Sequence, residues 1–248
     1  MSPLPNPDPE EPAMKKLLFC LLPVSALLAL PAHANLSIHP MRAAVDAKRG
    51  TQIRVYSQST IPQYVQTRLR RIVNPATPAE EEQEMEASDA AIAITPGKFA
   101  LSGGGNRLIR VIPLQQVQKE TAYRLYFEGV RGPDDAPLED GEGAQANIGV
   151  SLVWGALVNV TPDDGVVDLR LQDNTLHNTG TLRVGIIGAE QCTAAGVCTP
   201  HPVSHSLYPD AALTLPFQLQ PGNSLQLRYR LTRDGYREHV RTIAPTTT

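Results

Sequence analysis

Nearly every periodic segment after Asn35 repeats with period two. "TQIRVYSQS" (51–59) and "TAYRLYFEGV" (121–130) alternate apolar and polar residues, and Gly, Pro, Asn and Asp punctuate the intervals between such runs. Successive strand side chains point to opposite faces, so this alternation is a strand signature and is incompatible with the 3.6-residue repeat of an amphipathic helix. Many short strands with turn residues between them predict an all-β sandwich or barrel. The alternation restarts after Pro162 in "GVVDLRLQDNTLHNTG" and "TLRVGIIGAEQC". Two β-sandwich domains, 35–160 and 161–248, are therefore expected in place of one large barrel, with proline ending the strand at their junction. Only "PAEEEQEMEASD" (78–89) has a helical composition. It lacks an apolar face and is expected as a solvated loop or a single helical turn.

One strand is unusual. "ANIGVSLVWGALVNV" (146–160) contains no charged side chain and sets Ile148, Val150, Leu152 and Trp154 at alternate positions. Its second face begins Gly149, Ser151, Val153, Gly155, where a half-buried strand would normally carry charged or long polar groups. Both faces of this strand thus require cover.

Residues 1–34 do not belong to the fold. Met14-Lys15-Lys16 introduces an apolar run from Leu17 to Pro31, followed by Ala32-His33-Ala34. A basic start, an apolar run shorter than the roughly 20 residues needed to span a bilayer, and an A-x-A site together read as a signal peptide cleaved after Ala34. Met14 is the natural start of such a signal, with Met1 to Ala13 upstream of it. The exported chain then keeps Cys192 and Cys198, and an even pair in an oxidising compartment predicts a disulfide. A zinc site using His201 and His205 is the competing reading, but the three prolines of "TPHPVSHSLYP" exclude the short helix such a site needs.

Other chemistry is sparse. The formal net charge of −3 and 42% apolar content exclude a disordered chain and give no basic field for nucleic acid. "SGGGNR" (102–107) lacks the Lys-Ser/Thr of a phosphate loop and reads as a hairpin turn. No nucleophile, metal or paired-carboxylate motif stands out, so no enzyme activity, metal or cofactor is expected.

Three features coincide in order. The exported chain opens with "LSIHPMRAAVD", continues through "PGKFALSGGGNRLIRV" and "KETAYRLYFEGV", and then enters the long alternating strand that ends at Pro162. That succession resembles the periplasmic pilus-assembly chaperones of the chaperone-usher pathway, in particular the divergent group serving coli-surface-antigen-like fimbriae. The resemblance covers most of residues 36–162, and "LTRDGYREH" (231–239) is similar to the family's closing hairpin.

The resemblance implies two immunoglobulin-like β-sandwich domains in a boomerang arrangement and a non-enzymatic, periplasmic function. The last strand of the first domain would be lent to a fimbrial subunit that lacks its own, until an outer-membrane usher takes the subunit over. Ile148, Val150 and Leu152 match the inserted apolar residues, with Trp154 continuing the row. Members of the family cap this strand by forming homodimers, since an uncovered strand edge invites pairing. Arg42 matches the first of two basic residues that anchor the subunit's terminal carboxylate. The second would fall on the lent strand, where Leu157 and Asn159 stand instead; Asn159 is the candidate replacement. Glu120 and Asp234 match acidic residues that set the interdomain angle, with Thr161 where their basic partner is expected. A secreted β-sandwich adhesion or carbohydrate-binding protein is the alternative.

Overall fold

The computed structural model describes residues 35–85, 88–130 and 152–245. Its strands are, in order, β1 (Leu36–His39), β2 (Arg42–Asp46), β3 (Thr51–Ser57), β4 (Gln63–Val73), β5 (Glu81–Gln83), β6 (Ile92–Thr95), β7 (Lys98–Leu101), β8 (Asn106–Pro113), β9 (Thr121–Val130) and β10 (Val153–Thr161). The chain continues as β11 (Leu169–Gln172), β12 (Thr175–Asn178), β13 (Val184–Cys192), β14 (Cys198–His201), β15 (His205–Leu207), β16 (Ala212–Thr214), β17 (Ser224–Arg230) and β18 (Glu238–Ile243). No helix occurs among the described residues.

The first ten strands form two sheets, ordered β1-β3-β8-β6 and β2-β10-β9-β4-β5, with β7 also paired to β4. Alternate residues point inward from both sheets and make one core, which includes Ile53, Val55, Ile109, Val111, Leu125, Phe127 and Val158. This is the alternation of the sequence converted into burial: the apolar parity of each strand faces the opposite sheet. The remaining strands form sheets β11-β12-β16 and β14-β13-β17-β18, with β15 on β13, around a separate core containing Leu171, Leu176, Ile186, Leu207 and Leu227. The fold is thus two packed β-sandwiches.

Proline helps position the opening strands. The chain leaves β1 at Pro40 and crosses to the other sheet, where β2 runs parallel to β10. A residue without an N–H cannot continue a ladder, so the break falls where the chain changes sheets.

Two local expectations are corrected. The acidic segment 78–89 contains a short strand, β5, paired with β4. Glu82 accepts hydrogen bonds from Arg124 Nε (3.1 Å) and Tyr126 OH (2.7 Å), and Glu84 pairs with Arg70. The acidic residues are fastened to a basic stretch of sheet that local composition does not reveal. "SGGGNR" does turn, with Gly105 N donating to Ser102 O, but it is not a hairpin: β7 pairs with β4 and β8 with β3 and β6. A side chain on Gly103 would sit 2.3 Å from the carbonyl oxygen of Thr60, which explains a glycine at this change of sheet.

Cys192 and Cys198 stand opposite each other in the β13–β14 register and form a disulfide. The zinc reading therefore loses both thiolates, and His201 instead stacks on Phe217 with ring centroids 3.7 Å apart. Closing so small a loop restricts the unfolded chain modestly. Replacing both cysteines by serine should lower unfolding free energy by about 2 kcal/mol. Urea unfolding checks this, with the added expectation that reductant destabilises the parent protein and leaves the serine variant unchanged.

Candidate functional site

Strand β10 belongs to its own sandwich over most of its length. Ala156, Val158 and Val160 are buried in the first core, and Trp154 is half-buried against it. Two residues earlier in the same row, Leu152 is 50% exposed, and its neighbour Val153 is 45% exposed. The core-facing row therefore outruns its core between Trp154 and Leu152. Ile148 and Val150 continue the row in sequence and lie outside the described residues.

The placement of Trp154 corrects its assignment to the lent row. The indole packs on its own domain because it is still opposite Phe127 of β9 in the ladder, within the sandwich. The division between self-packing and free residues runs along the strand, by position in one row, and does not separate one face from the other.

Beside β10, Arg42 opens β2 and is exposed, with Leu157 as its register partner. It lines a cleft of about 560 Å³ together with Arg183, Arg230, His205 and Ser206. Among the described residues, the cleft wall contains three arginines and no carboxylate. An anionic group would find complementary charge there. Burial pulls the His205 imidazole below the ordinary histidine value, so it adds little positive charge near neutral pH.

Asn159 has a different role from the one expected. It is 2% exposed, donates through Nδ2 to Glu120 Oε1 (2.8 Å) and Thr232 Oγ1 (3.3 Å), and accepts from Tyr208 OH (3.2 Å). Its polar atoms are committed to this network, which leaves none to anchor a partner's carboxylate. Glu120 sits at the centre of the same network, 4% exposed, and its Oε2 accepts the backbone N–H of Arg183 at 2.9 Å. Burial raises the Glu120 carboxyl above the usual range, against hydrogen bonds from Thr232, Arg183 and Asn159 that favour the anion. Burial likewise pushes the Tyr208 hydroxyl up to about 12.

Asp234 does not join them. Its carboxylate binds Arg237 N in the β17–β18 connection and His239 at the start of β18. Thr161, where a cation was expected, donates from Oγ1 to Val45 O and ties β10 to β2. The cation near Glu120 is Arg183, whose Nη2 donates to Ser206 Oγ (2.7 Å) and whose guanidinium lies over the Tyr208 ring. Arg183, Thr232 and Tyr208 escape the sequence reading. One signal is present: Arg183 is the single charge in the run "TLRVGII".

No protein-family model matches the chain. A CS1 fimbrial protein of Escherichia coli, named as a subunit, is 28% identical over 208 residues, covering 80% of this chain and 86% of that protein. The crystal structure of the class 5 fimbriae chaperone CfaA matches with a TM-score of 0.71 at 22% identity, over 86% of this chain and 100% of that one. A chain from a chaperone-tip adhesin complex of CFA/I fimbriae biogenesis matches with a TM-score of 0.69 at 23% identity, again over 86% and 100%. The fold is that of the pilus chaperones: two immunoglobulin-like β-sandwiches.

Proposed function

We propose that this protein is a periplasmic chaperone of a chaperone-usher pathway, which binds fimbrial subunits by lending them the extension of β10 and hands them to an outer-membrane usher. The observation that carries this reading is the fold likeness to a fimbrial chaperone along the whole of that protein's length. Exposure of Leu152 beyond the end of its own core supports the strand-lending step, because its side chain is not committed to this protein's own sandwich and could fill a partner's groove. Between subunits, the same apolar row would be capped by a second copy of the chain. Residues 1–34 fit this reading as a leader and signal peptide, with domains at 35–160 and 161–248.

In this reading Arg42 grips the subunit's terminal carboxylate in the arginine cleft. Arg42→Ala should lower recovery of a co-expressed fimbrial subunit about tenfold, the scale of one charge-assisted hydrogen-bonded contact, without changing thermal unfolding. Affinity purification from periplasmic extract measures it, and unchanged recovery would remove Arg42 from the site.

The name of the Escherichia coli relative favours a second reading, in which the chain is itself built into a fimbria. Mass spectrometry of sheared fimbriae separates the two. A chaperone stays in the periplasm and is absent from the fibre; its stoichiometric presence there would sink the chaperone reading.

A further inference from the structure

Arg183 is a buried cation whose hydrogen bonding is incomplete among the described residues. It is 7% exposed, yet among the described residues its guanidinium has no side-chain carboxylate as a hydrogen-bond partner: Nη2 and Nη1 donate to the hydroxyls of Ser206 and Thr232, and Nε has no partner at all. Glu120 binds the backbone N–H of Arg183 and leaves the guanidinium free of a direct salt bridge. Glu120 is a neighbouring charge and the Tyr208 ring lies beneath the guanidinium, but its hydrogen-bond partners are hydroxyls alone, so an arriving anion would complete the pairing of a buried cation.

The backbone is shaped around this side chain. A Cβ on Gly185 would stand 2.9 Å from Arg183 Nη2 and 3.1 Å from Nη1, so glycine lets the guanidinium lie against β13 at the cleft wall. Arg42 lines the same cleft from β2 of the other sandwich. Arg230, the third arginine, is partly neutralised by Glu238, 3.8 Å away.

We infer that Arg183 supplies the cation missing from β10, so that a ligand's terminal carboxylate is held between Arg42 of one sandwich and Arg183 of the other. The inference rests on the reading of the cleft given above and adds to it a clamp that spans both domains. The two cations approach the carboxylate from different sandwiches, so occupancy of the cleft also ties the sandwiches together. The guanidinium is already in place, braced by Ser206 and Thr232, and its binding loses little side-chain freedom.

The test uses a synthetic peptide of a fimbrial subunit's last strand in two forms, free acid and C-terminal amide, titrated against the full chain by calorimetry. The parent protein should bind the acid about tenfold or more tightly than the amide. Arg183→Met should bring that ratio close to one, as should Arg42→Ala, while Arg183→Lys retains part of it. The ratio is the readout because a merely structural role would weaken both peptides together and leave it unchanged. Gly185→Ala, which displaces the guanidinium without removing it, should also lower the ratio and serves where the Met variant does not fold. A normal ratio in Arg183→Met or Gly185→Ala, with the ratio lost in Arg42→Ala, overturns the role of Arg183 and leaves the cleft reading standing. Equal binding of acid and amide by the parent protein overturns both.

Discussion

Replacing Val150 and Leu152 together by serine should abolish subunit capture and leave the melting temperature of the free protein unchanged. Trp154, Ala156, Val158 and Val160 face the first core, whereas Leu152 is half exposed. Leu152 therefore contributes little to the protein's own stability, and Val150, outside the described residues, continues its row in sequence. Each would be worth roughly 1.5–3 kcal/mol when buried in a partner, so losing two weakens binding by about a hundredfold or more. Val158→Ala, by contrast, removes volume from a closed core and should destabilise the protein by about 1–3 kcal/mol without touching the partner-facing row. The measurements are subunit recovery from periplasmic extract and thermal unfolding of both variants. A stability loss in the Ser pair matching that of Val158→Ala would show that 150 and 152 are ordinary core, and the strand-lending reading would fall.

How far the sequence can be read depends on the range of the interaction concerned. Ile53 and Val55, or Ile109 and Val111, are legible as core because strand alternation is written in adjacent residues and converts directly into burial. The Cys192–Cys198 bond is legible for a similar reason, since its partners are separated by six positions along one turn. Strand β5 is not, because its Glu82 finds Arg124 on β9, 42 positions along the chain, and the adjoining Glu84 finds Arg70 on β4. The interdomain network shows the same limit more sharply. Asn159 reads as a polar interruption in an apolar strand, and only the fold brings it to Glu120, Tyr208 and Thr232. The family resemblance points to the region but misassigns its members, offering Asp234 where Arg183 and Thr232 do the bonding. Trp154 is misplaced because periodicity tells which row a residue belongs to and not where along the row the core ends.

Glu120→Ala should be the most damaging single change at the junction between the sandwiches. It leaves Asn159 Nδ2 without its shorter hydrogen bond, the Arg183 backbone N–H without an acceptor, and the Arg183 guanidinium without its neighbouring negative charge, all in a buried setting. Breaking such a network from one side costs about 3–5 kcal/mol, more than removing any one of its neutral contacts. Glu120→Gln separates the charge from the shape. Burial raises the native carboxyl, whereas the unfolded chain titrates near the ordinary 4.5, so the native state takes up a proton first as pH falls. Below 4.5 both states are protonated and the side chain's contribution is fully present. As pH rises through the raised native value, that contribution is progressively lost. The stability difference between the parent protein and Glu120→Gln should therefore be largest in acid and shrink as pH increases, reaching a plateau once the native carboxyl is ionised. Urea unfolding of both proteins from about pH 4 to about pH 8 reads this directly. A difference that stays constant across the range would mean that Glu120 titrates normally in the folded protein, and the low-dielectric junction inferred from its burial would have to be abandoned.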